Sequence, residues 1–372
     1  MALHRRPDDV PLPTRSLARA VLLLTACTAL ILTSGTSTAD SAVGSDQQAP
    51  AEVPAAVTTA TYDLGDEAFT DPRSGTVSEL RGVVHFPEQL QGPAPVVVQV
   101  HGSWWACTAR GASTWPCDKG EPFPSYRGYD YLGDYLAGRG FVVVSISMDA
   151  INMTSFDYGD RARLLNEHLR LLEELSRGTG PLVGQLSALV GHLDMKRVGT
   201  MGHSRGGKGV MWQASDRHRS AWPHGVRVRG VLGVAPVKFD DPEGDNSHTR
   251  NTRVPVAVVT SGCDGAVGEQ GQEYLDDVVG LTRKPAFSIS LTDANHNYYN
   301  TQWTPPAPLS EDDSTCPGRE LTPKRQQVSL ARYAAAFYGR FLQGEPDTAG
   351  LLHGDSRLPR VRSQVRVVRP TR

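Results

Sequence analysis

The chain carries no excess of charge of either sign: 38 Lys and Arg stand against 40 Asp and Glu. That balance gives no support for a broad basic face for nucleic acid or for an acidic, self-repelling chain. Cysteine is scarce, with five in 372 residues. No C-x-x-C pair or histidine cluster accompanies the cysteines, so a structural metal has no ligand pattern, and none is expected. There is no P-loop, no H-E-x-x-H and no G-x-G-x-x-G after the first strand-like run. Phosphate cradles and zinc-protease helices are therefore without sequence support. No internal repeat is visible, which argues against a solenoid or propeller. The apolar run Ala20 to Leu32 is too short for a comfortable membrane span.

What is present begins with that run. Arg5, Arg6, Arg15 and Arg19 precede it as a basic segment, and Ser37-Thr38-Ala39 supplies small residues for cleavage. The pattern predicts a signal peptide over 1–39 and a secreted, extracellular protein of bacterial type. Two alternatives stay open. Arg5-Arg6 could open a twin-arginine signal, although Pro7-Asp8-Asp9 continues it poorly. Leu24-Thr25-Ala26-Cys27 resembles a lipoprotein box, although Cys27 sits inside the apolar run. Removal of the leader leaves Cys107, Cys117, Cys263 and Cys316, an even number in an exported chain. That suggests two disulfides with three connectivities; Cys107–Cys117 and Cys263–Cys316 are the favoured pairs, and free buried thiols are the alternative.

From 40 to 57 the chain is rich in Ala, Ser, Gln and Pro and reads as a linker. Beyond it, strand and helix signals alternate, as in a largely parallel sheet with helices on both faces. Strands are expected at Ala60 to Leu64, Ser78 to Phe86, Pro95 to Val100, Gly140 to Ile146, Arg197 to Met201, Gly230 to Ala235, Val254 to Thr260 and Ala286 to Leu291. Helices are expected at Tyr129 to Arg139, Arg161 to Leu175 and Gln327 to Leu342. The segment 344–372, rich in Arg, Pro and Gly, reads as a loosely packed basic tail.

One motif stands out in this frame: Gly202-His203-Ser204-Arg205-Gly206-Gly207, after an apolar strand and before a helix-like stretch. A serine is thrust out of a sheet edge only by a very tight turn, which leaves no room for side chains two residues away on either side. Gly202 and Gly206 supply that room, and Gly207 lets the helix approach the sheet. The helix N-terminus beneath Ser204 directs N–H groups and a positive dipole toward an oxyanion. The bland reading is a chance match in a Gly/Ser-rich loop; the strand–turn–helix context favours a nucleophile elbow.

The strand order, His101-Gly102 after one strand, the Ser204 elbow, an Asp after a later strand and a His after the last strand together resemble the α/β-hydrolase superfamily over residues 60 to 343. Within it the chain is similar to the dienelactone-hydrolase, platelet-activating-factor-acetylhydrolase and polyester-hydrolase (cutinase-like) neighbourhood, and the elbow matches that of chlorophyllase-like enzymes. The resemblance implies a catalytic domain over 58–343 with the chain order Ser, then Asp or Glu, then His. Asp264, in Ser261-Gly262-Cys263-Asp264-Gly265, is the acid candidate, against the reading of a turn Asp before Gly. Asp241, Asp276 and Asp277 compete less well. His296, in Asp293-Ala294-Asn295-His296, is the base candidate, with His224, His248 and His353 as competitors. The oxyanion would meet the backbone N–H of Arg205 and that of Ser103, with Trp104 as runner-up. His101 is expected to hold its loop and His203 to pack the elbow.

Trp104 and Trp105 on one side and Tyr298, Tyr299 and Trp303 on the other suggest either an apolar cleft or loop-anchoring core. The run Glu311-Asp312-Asp313 reads as a solvated loop rather than a calcium site. The expectation is a single-domain exported serine hydrolase, monomeric and without cofactor, acting on a small-molecule or polymeric carboxylic ester. An acyltransferase with the same triad, a peptidase and a non-catalytic binding protein are the alternatives.

Overall fold

Runs of valine and isoleucine, stiff at the β-carbon, pack well on a pleated surface, and such runs form the strands Ala94–Val100 and Val142–Ile146 of the main sheet. The computed structural model describes residues 55–371 apart from 156, 239–244 and 348. The strands are β1 (Val57–Asp63), β2 (Phe69–Thr70), β3 (Val77–Ser78), β4 (Arg81–Pro87), β5 (Ala94–Val100), β6 (Val142–Ile146), β7 (Leu193–His203), β8 (Val228–Val234), β9 (Val256–Ser261), β10 (Ala286–Leu291) and β11 (Ser363–Val368). The helices are α1 (Asp130–Ala137), α2 (Asp149–Thr154), α3 (Tyr158–Ser176), α4 (Arg205–Ala214), α5 (Glu273–Asp276) and α6 (Pro323–Tyr338).

Nine strands form one sheet in the order β1-β4-β6-β5-β7-β8-β9-β10-β11, and β2 and β3 make a separate ribbon. All neighbours from β6 through β10 are parallel. The pairs β1/β4, β4/β6 and β10/β11 are antiparallel. This is a mostly parallel α/β architecture.

Alternation along the central strands feeds two cores. Val96, Val98 and Val100 of β5 pack in one cluster with Leu165, Leu169 and Leu172 of α3 and with Val210 of α4. Val97, between them in sequence, joins Leu132 and Leu136 of α1 and Leu330 and Phe337 of α6 on the other face. A period of two along the strand meets a spacing of three and four along the helices, so neither face is left apolar in water.

The C-terminal segment differs from the expectation of a loose tail. Ser363–Val368 is β11, hydrogen-bonded antiparallel to β10 across the register Ala286↔Val368 to Leu291↔Ser363. Leu351, Leu352, Leu358 and Val361 are buried in the α1/α6 core. The reason is an edge-strand pattern diluted by arginine: Gln364 and Arg366 face water while Val365 and Val367 turn inward. Arg366 also meets Asp276 at 2.7 Å. The short helix α2 was not expected either. The unit Glu52–Arg372 is compact. The expected signal segment 1–39, with Cys27, and most of the 40–57 linker lie outside the described residues. Among the described residues no helix is long and apolar enough to cross a membrane.

Candidate active site

The strand β7 ends at His203 and α4 begins at Arg205, so Ser204 alone makes the turn. Its backbone stands at φ 57, ψ −124. A side-chain-bearing residue in such a region costs about 1–3 kcal/mol and persists only where its surroundings enforce it. Here the Ser204 N–H donates to Val234 O at 2.9 Å, and its carbonyl accepts from Gly207 N at 2.9 Å and Val237 N at 3.2 Å. The glycines are sterically required. A β-carbon on Gly202 would lie 2.1 Å from Gly206 O, and one on Gly206 would lie 2.5 Å from His101 O. A β-carbon on Gly207 would lie 2.6 Å from Pro236 Cβ.

Parallel strands deliver their carboxyl ends to one edge of a sheet, where α/β folds place their sites. His101-Gly102 follows β5, Ser204 follows β7, Asp264 follows β9 and His296 follows β10. Asp264 Oδ2 lies 2.8 Å from His296 Nδ1. The other oxygen, Oδ1, accepts from Ala266 N at 2.8 Å and Val267 N at 2.7 Å. The carboxylate therefore closes a turn and holds the imidazole at once. Burial alone would raise its pKa; the hydrogen bond and charge of His296 and the two N–H groups outweigh burial and hold it below the ordinary value. Ser204, Asp264 and His296 are 7 %, 7 % and 4 % exposed, enough to be reached but not bathed in water. Among the described residues Ser204 Oγ makes no hydrogen bond to His296.

Four of the competing residues are engaged elsewhere. Asp276 pairs with Arg366, and Asp277 with Lys238 at 2.9 Å. His248 stacks on Trp212 at 4.2 Å between ring centres, and His353 lies 3.3 Å from Asp347. Asp241 lies outside the described residues.

The loop after β5 is packed against Ser204. A β-carbon on Gly102 would lie 2.6 Å from Ser204 Cβ, so Ser103, the next residue, follows directly on the point of contact. Arg205 opens α4, so its backbone N–H belongs to the helix N-terminus beside Ser204. The Gly102 carbonyl is turned away and held by His101 Nδ1 at 2.9 Å and Asn152 Nδ2 at 3.1 Å. His101 Nε2 accepts the Met148 N–H at 2.8 Å. Burial, helped by the charge of Arg161, pushes the His101 pKa down to about 3, so the ring stays neutral and serves as a brace. Asn152 is fixed in turn by the buried Arg161, and Glu79 receives the N–H groups of Asp149 and Ala150 at the start of α2. Sequence reasoning missed Asn152, Arg161 and Glu79. No motif marks them: Arg161 lies among the many charged residues of α3, and Glu79 lies between β3 and β4.

His203 is wedged behind His296. Its ring lies 4.7 Å from His296 and 4.9 Å from Trp303, centre to centre, and Tyr129 Oη is 2.9 Å from its Nδ1. Burial first, then the charge of His296, drives its pKa well below the ordinary value. Trp104 stacks on Trp303 at 5.0 Å, and Trp303 Nε1 donates to Ser125 Oγ at 3.0 Å. These rings anchor the loops; Trp105, 40 % exposed, is the aromatic that meets solvent. Two disulfides join Cys107 to Cys117 and Cys263 to Cys316. Among the described residues no group of three or more His, Cys, Asp or Glu is placed to hold a metal ion.

The chain is similar to a cutinase. The protein in question is cutinase est1 of Thermobifida alba, 24% identical over 195 residues. The match takes in 48% of this chain and 57% of that protein, so it spans little more than half of the relative's length. No family model matches the chain.

Proposed function

We propose that this chain is an exported serine hydrolase that cleaves carboxylic esters. Ser204 attacks the ester carbonyl while His296 takes its proton. Asp264 orients the imidazole and offsets the charge it gains. The backbone N–H groups of Arg205 and Ser103 receive the oxyanion, each worth roughly 2.7–4 kcal/mol in comparable sites. His296 then gives its proton to the leaving alcohol, and a water activated by the same imidazole releases the acyl group.

One observation carries the reading: a serine held at φ 57 between a parallel strand and a helix, at the sheet edge where Asp264 and His296 are bonded at 2.8 Å. The similarity to a protein named a cutinase supports an ester as substrate. The basic and apolar leader and the two disulfides support export into an oxidising compartment.

A panel of chromogenic esters of rising acyl length, assayed on the mature chain, tests the proposal. Ser204→Ala should lower kcat on the order of 10⁴-fold or more with the fold intact. A fluorophosphonate should label the wild-type chain at Ser204, read by peptide mass. Ester cleavage that survives Ser204→Ala would move the chemistry elsewhere.

A further inference from the structure

The acidic run is exposed at Glu311 and Asp312, as a solvated loop would be, but Asp313 is part-buried against the two loops that bear His296 and Asp264. Asp313 Oδ1 accepts the N–H of Asn297, the residue after His296, at 3.0 Å. Asp313 Oδ2 accepts the N–H of Gly265, the residue after Asp264, at 3.1 Å. One carboxylate thus spans the backbones immediately following both candidates. The rest of the segment reinforces it. Thr315 N donates to Cys263 O at 2.9 Å, and Cys316 is bonded to Cys263. Asn295 Nδ2 donates to Asp312 Oδ1 at 3.0 Å, and Asn297 Nδ2 to Glu311 O at 3.1 Å. Gly265 is needed for the approach, since a β-carbon there would lie 2.2 Å from Asp313 O.

We propose that Asp313 is a positioning residue for the His296–Asp264 pair: it sets the spacing of the two loops and adds a second negative charge beside the imidazolium that forms in the reaction. This rests on the serine-hydrolase reading of the site. Burial pushes the Asp313 carboxyl above the ordinary range; the Asn297 N–H and the charge of His296 oppose that rise, and Asp264 adds to it. Three further groups face the imidazole or its support. Asp264 comes from the acid loop, and His203, from the end of β7, is kept neutral by burial. Tyr299, whose hydroxyl is bonded to Ser261 Oγ at 2.8 Å, is kept neutral as well. Asp312, on Asp313's own segment, spends its oxygen on Asn295 and Ser314. Asp264, bonded to the imidazole, and Asp313, bonded to the residue after it, are the two carboxylates of this support.

The test is the pH profile of kcat/KM, and of fluorophosphonate labelling, for the full mature chain and for Asp313→Asn, with thermal melting to verify folding. Asp313→Asn should lose about tenfold in kcat with KM nearly unchanged, because small misplacements of a catalytic pair are costly. Its acid limb should move to lower pH by about half a unit, because a charge that favours imidazolium is gone. Asp313→Glu, which keeps the charge, should keep the acid limb. If Asp313→Asn does not fold, Asp313→Ser, which retains one acceptor, is read the same way. A rate loss with an unmoved acid limb, or profiles that overlay the wild type, would overturn the inference. Wild type that takes no label at Ser204 overturns the hydrolase reading and this one together. Wild type labelled at Ser204 alongside an unchanged variant profile overturns this one alone.

Discussion

The side of the candidate site that holds Ser204, the proposed nucleophile, and the side that holds Asp264 and His296, the proposed acid–base pair, are built by different means. The nucleophile side is a steric device written in the contiguous stretch Gly202 to Gly207. Its glycines clear Gly206 O, His101 O and Pro236, and buried neutral rings at His101 and His203 back it. The acid–base side joins residues 32 apart in sequence. It relies on a cross-link, on direct bonds between the loops, and on Asp313. The loops meet at Cys263 N–Ala294 O, 2.9 Å, and at Gly262 N–Leu291 O, 3.0 Å. A local steric device needs no partner from afar, whereas a bonded pair of distant loops is only as firm as the segments that tie it.

The sharpest way to break the comparison is to fill the elbow. Gly202→Ala puts a β-carbon 2.1 Å from backbone oxygen that cannot swing aside. It should abolish ester cleavage and destabilise the fold by about 3 kcal/mol or more, read by activity and urea unfolding. An active, fully stable Gly202→Ala would refute the steric account.

The disulfides come next. Opening Cys263–Cys316, which closes 53 residues, should cost about 4 kcal/mol, against about 3 kcal/mol for Cys107–Cys117, which closes 10. The double Cys→Ser variant at 263 and 316 should also lose more activity than that at 107 and 117, since it loosens the acid–base loops. Equal losses of activity would show that the cross-link does not hold those loops.

The smallest effect is in acid. A buried histidine whose folded value lies below the ordinary 6.5 binds fewer protons than in the unfolded chain. Its contribution falls as pH drops below 6.5 and keeps falling to about 3 for His101. Asp264, held below 3.8, contributes above that pH and is lost as pH falls through its lower folded value. Urea-unfolding stability should therefore decline in two stages, the first shallower in His101→Gln and the second in Asp264→Asn. A decline unchanged by His101→Gln would remove the neutral brace from the account.

The central sheet was legible from residues. Ala286 to Leu291 has the bounds expected of it, and β5, β6 and α3 lie within a few residues of theirs. Such elements carry strong short-range patterns, valine runs or leucines three and four apart. The edge strand β11 was not legible, because its Arg-rich, Pro-rich surroundings hide a period of two carried by Gln364 and Arg366 on its wet face, and only pairing with β10 makes it a strand. Ser204 announces itself through its glycines. Asp264 and His296 could be proposed only from chain order, because a turn Asp and a loop His look alike in sequence whether or not they meet.

The amino-acid order by itself determined the tight turn at Ser204, since excluded volume acts between neighbours along the chain. It also determined the two-faced sheet, through residue periodicity. Only the tertiary structure decided that Asp264 bonds His296, that Asn152 holds the Gly102 carbonyl, and that Asp313 bonds two loops at once. Those contacts join segments whose separation along the chain carries no local signal, so they exist only once the sheet has brought its strand ends to a common edge.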